Sequence, residues 1–162
     1  GHVAAMFSLW GPQEGRAFLQ ALQDSDARMV DGNSSAVREV MAGRAKWCMT
    51  DTDDVRVARK QLASLEERFL DMGDGGTLFI PSSVAMIKNC RHPKLARKLV
   101  DFLISAEVER MLAESESGNI PVRASLREEL GMDLPGTTQV RYDSVAKLIP
   151  PSMKAVNEIL IR

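Results

Sequence analysis

The sequence predicts an α/β fold, and the stretch from Val30 to Asp54 carries most of that prediction. Apolar residues at Met29–Val30 and again at Lys46–Met49 have the character of short strands, and a helical pattern lies between them. A polar loop follows each strand. If the strands are parallel, both loops lie at the same sheet edge, where α/β proteins bind ligands. The stretch therefore predicts a ligand-facing edge without specifying the ligand.

The helix in this strand–helix–strand unit has start and stop signals of its own. Asp31-Gly32 is a turn pair. Asn33, Ser34 and Ser35 follow it and are favoured N-cap residues. Gly43 is placed to end the helix. We therefore expect a helix that begins near Asn33, with backbone N–H groups and hydroxyls at its start.

Length and composition limit the classes of protein to consider. With 162 residues, the chain fits one domain or one lobe of a larger protein. Its net charge of −1 does not favour a nucleic-acid partner. No apolar run reaches the length of a membrane span, and no secretion signal is evident. Residues 1–2, Gly1-His2, are typical of a cloning remnant, so we assign His2 no role.

The two cysteines do not identify a cellular compartment. Cys48 lies in a predicted strand, and Cys90 follows another apolar run. We expect two buried or partly buried thiols rather than a disulfide, although neighbouring strands could bring the two residues within reach.

The remaining elements follow from apolar periodicity and from proline and glycine. Helices are expected over residues 3–21 with a break at Gly11-Pro12, from Val55, from Pro93, after Ser105, over 126–130 and from Pro150. Strands are expected over residues 77–81 and 83–87, as two strands or one kinked strand, after a flexible break at 72–76. Residues 66–70 remain open between the end of a helix and a short strand.

Several large side chains are expected to pack in the core. Trp47 lies inside an apolar strand, and Trp10 is expected to pack at the Gly11 break. The helix from Pro93 is expected to bury a stripe made of Leu95, Leu99, Phe102 and Leu103.

Four segments in order carry a family resemblance. They are residues 31–54, 76–87, 92–108 and 118–123, with sequences such as DGNSSAV, TDTDD, GTLFIPSSVAMI, HPKLARKLVDFLIS and GNIPVR. Together they resemble the second lobe of extracellular solute-binding proteins of ABC importers, in the ferric-iron-binding-like branch. The resemblance implies one lobe of a type II periplasmic-binding-protein fold, with a central mixed sheet flanked by helices. It implies that residues 3–162 form a carboxy-terminal lobe whose first lobe is absent from this chain.

The resemblance also implies a function. Such a protein captures a small polar or anionic solute, or a metal complex, between two lobes and delivers it to the membrane permease of an ABC importer. Its expected location is periplasmic or extracellular, with a lipid anchor as an open alternative. The competing hypothesis is the ligand-sensing effector domain of a transcription regulator, which would need a helix-turn-helix region that this sequence lacks. An enzyme is not expected, because no nucleophile–base pair is evident, and no cofactor is expected.

The metal chemistry of the ferric-binding members does not carry over. Those members ligate iron with adjacent tyrosines, and the matching positions here are near Thr52 and Asp53. The chain has a single tyrosine, Tyr142, whose environment the sequence leaves open. Asp51, Asp53 and Asp54 offer oxygen atoms to a hard cation, but acids at a helix start are more often cap and dipole partners. We therefore predict no metal site.

The predicted ligand-binding residues lie in the two polar loops and after a later strand. Helix-start N–H groups and hydroxyls suit an anion, although a plain N-cap would explain the same residues. His92, before Pro93, is expected to be structural. The full predicted set is Asn33, Ser34, Ser35, Thr50, Asp51, Thr52, Asp53, Ser82 and Ser83.

Overall fold

The fold was obtained as a computed structural model that describes residues 1–62 and 64–161. The chain forms two compact units. The terminal unit comprises Gly1–Asp31, Arg68–Ile80 and Pro135–Arg162, and the central unit comprises Gly32–Glu67 and Pro81–Leu134.

Helices dominate both units. In chain order the elements are α1 His2–Trp10, α2 Pro12–Asp24, α3 Asn33–Met41, α4 Thr52–Arg59, β1 Gly76–Thr77, α5 Pro93–Leu103, α6 Ala106–Glu114, α7 Ala124–Glu129, β2 Gly136–Thr137 and α8 Tyr142–Leu160. No helix in residues 1–62 or 64–161 has the length and apolar character needed to cross a membrane.

The terminal unit is built from α1, α2 and α8, which pack against one another. The predicted break between α1 and α2 is confirmed: Gly11 has φ +87°, a value that favours glycine, and Pro12 is the first residue of α2. Gly15 allows α2 to approach α1 closely, since a Cβ there would lie 2.3 Å from the Phe7 ring. The core of this three-helix arrangement includes the buried side chains of Phe7, Leu19, Ala155 and Ile159.

The prediction that Pro150-Pro151 opens the last helix is wrong. Both prolines lie inside α8, which begins eight residues earlier at Tyr142. Proline removes a helix hydrogen bond and clashes with the preceding turn, so the surrounding contacts must outweigh this local cost. Val145 before the prolines and Ile159 after them are both buried in the terminal unit. The Ser152 hydroxyl donates to the Ile149 carbonyl at 2.9 Å and adds a hydrogen bond at the break.

The predicted sheet is largely absent from the described residues. Its only ladder there is parallel and pairs Gly76 with Gly136 and Thr77 with Thr137. The prediction of strands at residues 29–30, 46–49 and 83–87 is wrong, because all three segments are irregular. A strand needs a neighbouring strand to pair its backbone groups, and no such neighbour lies beside these segments in the described chain. The central mixed sheet therefore remains an expectation from the family resemblance.

In the central unit, α3 contacts α4 and α5 contacts α6. The predicted helix starts at Pro93 and after Ser105 are confirmed, and Ser105 accepts a hydrogen bond from the Val108 N–H at 3.3 Å. The predicted burial of the α5 stripe is wrong. No residue of α5 is buried, and the exposed fractions of Leu95, Leu99, Phe102 and Leu103 are 64, 56, 50 and 41%. The amphipathic pattern is present, but no element of the described chain covers it.

The two tryptophans behave differently. The prediction that Trp47 lies in the core is wrong, because its side chain is 58% exposed in a segment that forms no strand. Trp10 packs at the Gly11 break as predicted, and its indole Nε1–H donates to the Met72 carbonyl at 2.7 Å. The cysteines are free, partly buried thiols, as expected, and burial raises the pKa of Cys48.

Candidate ligand-binding site

The starts of α3 and α4 lie side by side in the central unit. The Asn33 side-chain amide donates to the Asp51 carboxylate, 18 residues later in the chain. The Ser34 hydroxyl donates to Asp54 Oδ1 at 2.5 Å across a separation of 20 residues. The structure thus brings together the two polar loops that the sequence places at one edge, although helix starts rather than strand ends bring them there.

The predicted side-chain N-cap at the start of α3 is wrong. The N-cap position is Gly32, with φ +93°, and no side chain among the described residues caps the helix. Asn33 and Ser34 instead donate to the neighbouring acids, and Ser35 accepts a hydrogen bond from Arg38 at 2.8 Å. The N–H groups of the first turn of α3 therefore have no side-chain cap and remain available to a ligand or water.

The start of α4 also lacks a side-chain cap from its N-cap residue. Asp51 occupies its N-cap position but makes no capping hydrogen bond, and Asp53 and Asp54 lie in its first turn. These acids interact favourably with the positive end of the helix dipole. The site thus combines two helix starts with three carboxylates.

The three carboxylates of Asp51, Asp53 and Asp54 form a compact group. Each offers an oxygen atom, and these atoms lie within 4.8 Å of one another. Partial burial raises the pKa of Asp51 to about 6, together with hydrogen bonding to Asp54 and the charge of Asp53. The Asn33 amide opposes this rise by stabilising the charged form. The pair of first-turn acids and Asp51 therefore make the site locally acidic.

Two threonines border the carboxylate group. Thr52 is the first residue of α4 and is partly buried. The Thr50 hydroxyl is shielded from solvent and has no hydrogen-bond partner in the part of the chain described. A solute seated here would meet hydroxyl groups as well as carboxylates.

The structure does not add Ser82 and Ser83 to this constellation. Both are exposed in the irregular segment after Ile80. Neither hydroxyl forms a hydrogen bond to the Asn33–Asp54 group within residues 1–62 and 64–161.

Arg56 is a residue that sequence reasoning missed. It lies one turn after Thr52 on α4, where its guanidinium donates to the Gly118 carbonyl, and its Nε is 3.7 Å from Glu67 Oε2. These contacts fix α4 and thereby the position of its acidic start. The signal in the sequence was a basic residue next to an acidic cluster, but its partners lie 11 and 62 residues away in the chain.

A comparison with protein families gives one match over these elements. A family model described as bacterial extracellular solute-binding protein matches residues 3–143. This range includes the whole of the site from Asn33 to Asp54. Neither the curated proteins nor the solved structures provide a match.

Proposed function

Because the chain belongs to the bacterial extracellular solute-binding protein family, we propose that it captures a small solute for uptake by the membrane permease of an ABC importer. The solute would be bound outside the cytoplasm, in the periplasm or at the cell surface. We further propose that the chain is one lobe of a type II periplasmic-binding-protein fold. This lobe and a first lobe would close on the solute bound between them. It would act by binding alone, without catalysis.

The observation that carries the proposal is the meeting of two uncapped helix starts at Asn33 and Thr52. Main-chain N–H groups at helix starts are ready-made donors, and their geometry is fixed by the helices. The hydrogen bonds from Asn33 to Asp51 and from Ser34 to Asp54 hold the two starts together. A solute that bound at both starts would therefore meet a pre-organised surface.

The charge of the site selects among solutes. Three carboxylates within 4.8 Å repel an anion, although helix starts alone would attract one. We therefore favour a polar solute that offers acceptors to the helix starts and donors to the carboxylates over the simple anion that the helix starts alone suggest. The ferric-binding proteins that the sequence resembles use a tyrosine pair, whereas the matching positions here, near Thr52 and Asp53, have no tyrosine.

Native mass spectrometry of the parent protein from its producing cells tests the proposal. We expect a co-purified small molecule whose mass is lost on denaturation. The triple variant Asn33→Ala, Ser34→Ala, Thr52→Val should lose that mass, whereas Asn157→Ala on the exposed face of α8 should retain it. Retention of the solute by the triple variant would contradict the proposed site.

A further inference from the structure

The terminal unit has a surface cavity on α1 and α2. It is wide open to solvent, has a volume of about 600 Å³ and is lined by Trp10, Glu14, Ala17, Phe18 and Ala21. The last four residues have the spacing of one face of α2, since positions i, i+3, i+4 and i+7 lie together on a helix. Trp10 is the final residue of α1, so the break at Gly11 places its ring beside that face.

The cavity has two aromatic walls in a fixed arrangement. The rings of Trp10 and Phe18 meet edge to face, with centroids 5.6 Å apart. Both rings pack against the core cluster that includes Met6 and Met72. The hydrogen bond from Trp10 Nε1 to the Met72 carbonyl holds the indole in place at 2.7 Å. Aromatic surface in this cavity is therefore pre-organised rather than mobile.

Glu14 gives the cavity its charge. In the described chain its carboxylate has no ion-pair or hydrogen-bond partner, although it is in the first turn of α2, where the helix dipole stabilises a negative charge. Ala17 and Ala21 are one and two turns away, and their short side chains leave the space open. The surface thus combines two aromatic side chains, one free carboxylate and room for a small molecule.

We propose that this cavity binds a small methylated ammonium ion. Aromatic faces attract cations through their quadrupole, and quaternary ammonium groups, which cannot donate hydrogen bonds, depend on this attraction. The Glu14 carboxylate adds charge complementarity. A hard divalent cation fits poorly, because it requires six or more oxygen ligands and this cavity provides one carboxylate. The cavity shares no residue with the Asn33–Asp54 group. The proposal for one site can therefore be refuted while the proposal for the other stands.

Choline and its neutral isostere 3,3-dimethylbutan-1-ol test the role of charge. The Trp47→Phe background leaves Trp10 as the single tryptophan, whose emission then reports on the cavity. At ionic strength matched with sodium chloride, choline should give a saturable change, and the alcohol should bind roughly tenfold more weakly. Equal affinity for the two molecules, or no saturable response to choline, would overturn the proposal.

Three variants test the walls of the cavity. Glu14→Gln removes the charge, Phe18→Leu removes a ring but keeps an apolar side chain, and Ala21→Leu fills the space from an exposed helix position. Each should weaken choline binding by about threefold to tenfold or more. Glu116→Gln, in an exposed loop of the central unit, is the matched control and should leave it unchanged. Unaltered choline affinity in both Glu14→Gln and Ala21→Leu would refute the assignment even if Phe18→Leu failed to fold.

Discussion

At the scale of single residues, Asp51 shows how the site and stability are linked. Its pKa of about 6 in the folded chain exceeds the ordinary value of 3.8. Between these two values the folded chain binds a proton that the unfolded chain has released. The contribution of Asp51 to stability is therefore present at low pH and is lost as the pH rises through about 6.

Asp51→Asn should consequently stabilise the chain at neutral pH. Asparagine is an equally good N-cap residue, and its carbonyl oxygen can still accept from the Asn33 amide. We expect a gain of no more than about 1 kcal/mol at pH 7, because solvent screens these partly exposed charges. Urea unfolding at pH 4, 5.5 and 7 would measure it. The gain should shrink towards pH 4, and Asp133→Asn, in an exposed loop, should show no such trend.

The sequence predicts that Asn33 and Ser34 lie near the loop that contains Asp51, but it does not predict their hydrogen-bond partners. Asn33 and Ser34 are good cap residues, yet acids 18 and 20 residues away take their donors. Local capping preference cannot anticipate a partner that arrives through tertiary structure. The same limit applies to Trp47. Its apolar neighbours indicate a buried strand, but the segment pairs with no other strand in the described chain.

At the scale of elements, a carboxylate fixes the segment between α6 and α7. Glu109 of α6 accepts the backbone N–H groups of Val122 and Arg123 and pairs with the Arg123 guanidinium at 2.6 Å. Its side chain is largely buried. Burial alone would raise the pKa of Glu109, but the hydrogen bonds from Arg123 and Val122 hold it below its usual value. This stabilisation is present above the unfolded pKa of 4.5 and is lost as the pH falls through the lower folded pKa.

Glu109→Gln should destabilise the chain by about 2 kcal/mol at pH 7, because a charged acceptor with several donors is removed. Glu129 provides the matched control: it also pairs with an arginine at 2.6 Å, but both side chains are exposed. Glu129→Gln should leave the thermal midpoint unchanged. Equal effects of the two substitutions would contradict the role of burial.

The prolines of α8 give a second prediction at this scale. Pro150 lies in the helix interior and is exposed, so Pro150→Ala restores a backbone donor without disturbing the core. We expect stabilisation by about 1 kcal/mol or more. Pro12→Ala is the control, since Pro12 begins α2 and its missing N–H costs nothing there. Chemical denaturation would compare them, and destabilisation by Pro150→Ala would show that α8 depends on the proline ring.

The elements also show what the sequence could predict. Helix starts at Pro12, Asn33, Pro93 and Ala106 follow from local signals, because a helix satisfies its own backbone within a few residues. Strands depend on distant partners, and the described chain pairs only Gly76–Thr77 with Gly136–Thr137. The first two turns of α8, from Tyr142, escaped prediction because packing outweighs the local preference of two prolines.

At the scale of the whole molecule, the solute-binding proposal makes a prediction about affinity. If two lobes close on the solute, this chain supplies only its own half of the contacts to it. Isothermal titration of this chain with the solute identified by native mass spectrometry should show binding far weaker than that of the two-lobed protein. Micromolar or tighter binding by residues 1–162 alone would contradict the proposal that the solute is bound between two lobes.

The division into two units was not evident from the sequence. The terminal unit gathers three separate stretches of chain, and nothing in composition or periodicity marks their boundaries near residues 31, 68, 80 and 135. Long-range packing defines it, including that of α1 and α2 against α8, more than 100 residues later. Contacts of such long range leave no local trace in a single sequence.

That packing has a consequence for synthesis on the ribosome. The helices α1 and α2 precede the central unit along the chain, and α8, which completes their core, follows it. The central unit can therefore fold before α8 has left the ribosome, whereas the terminal unit cannot form until α8 has emerged. Until then the apolar faces of α1 and α2 have no partner, and they form the part of the nascent chain most in need of a chaperone. Closing so long a loop also makes the terminal unit the slower of the two to form.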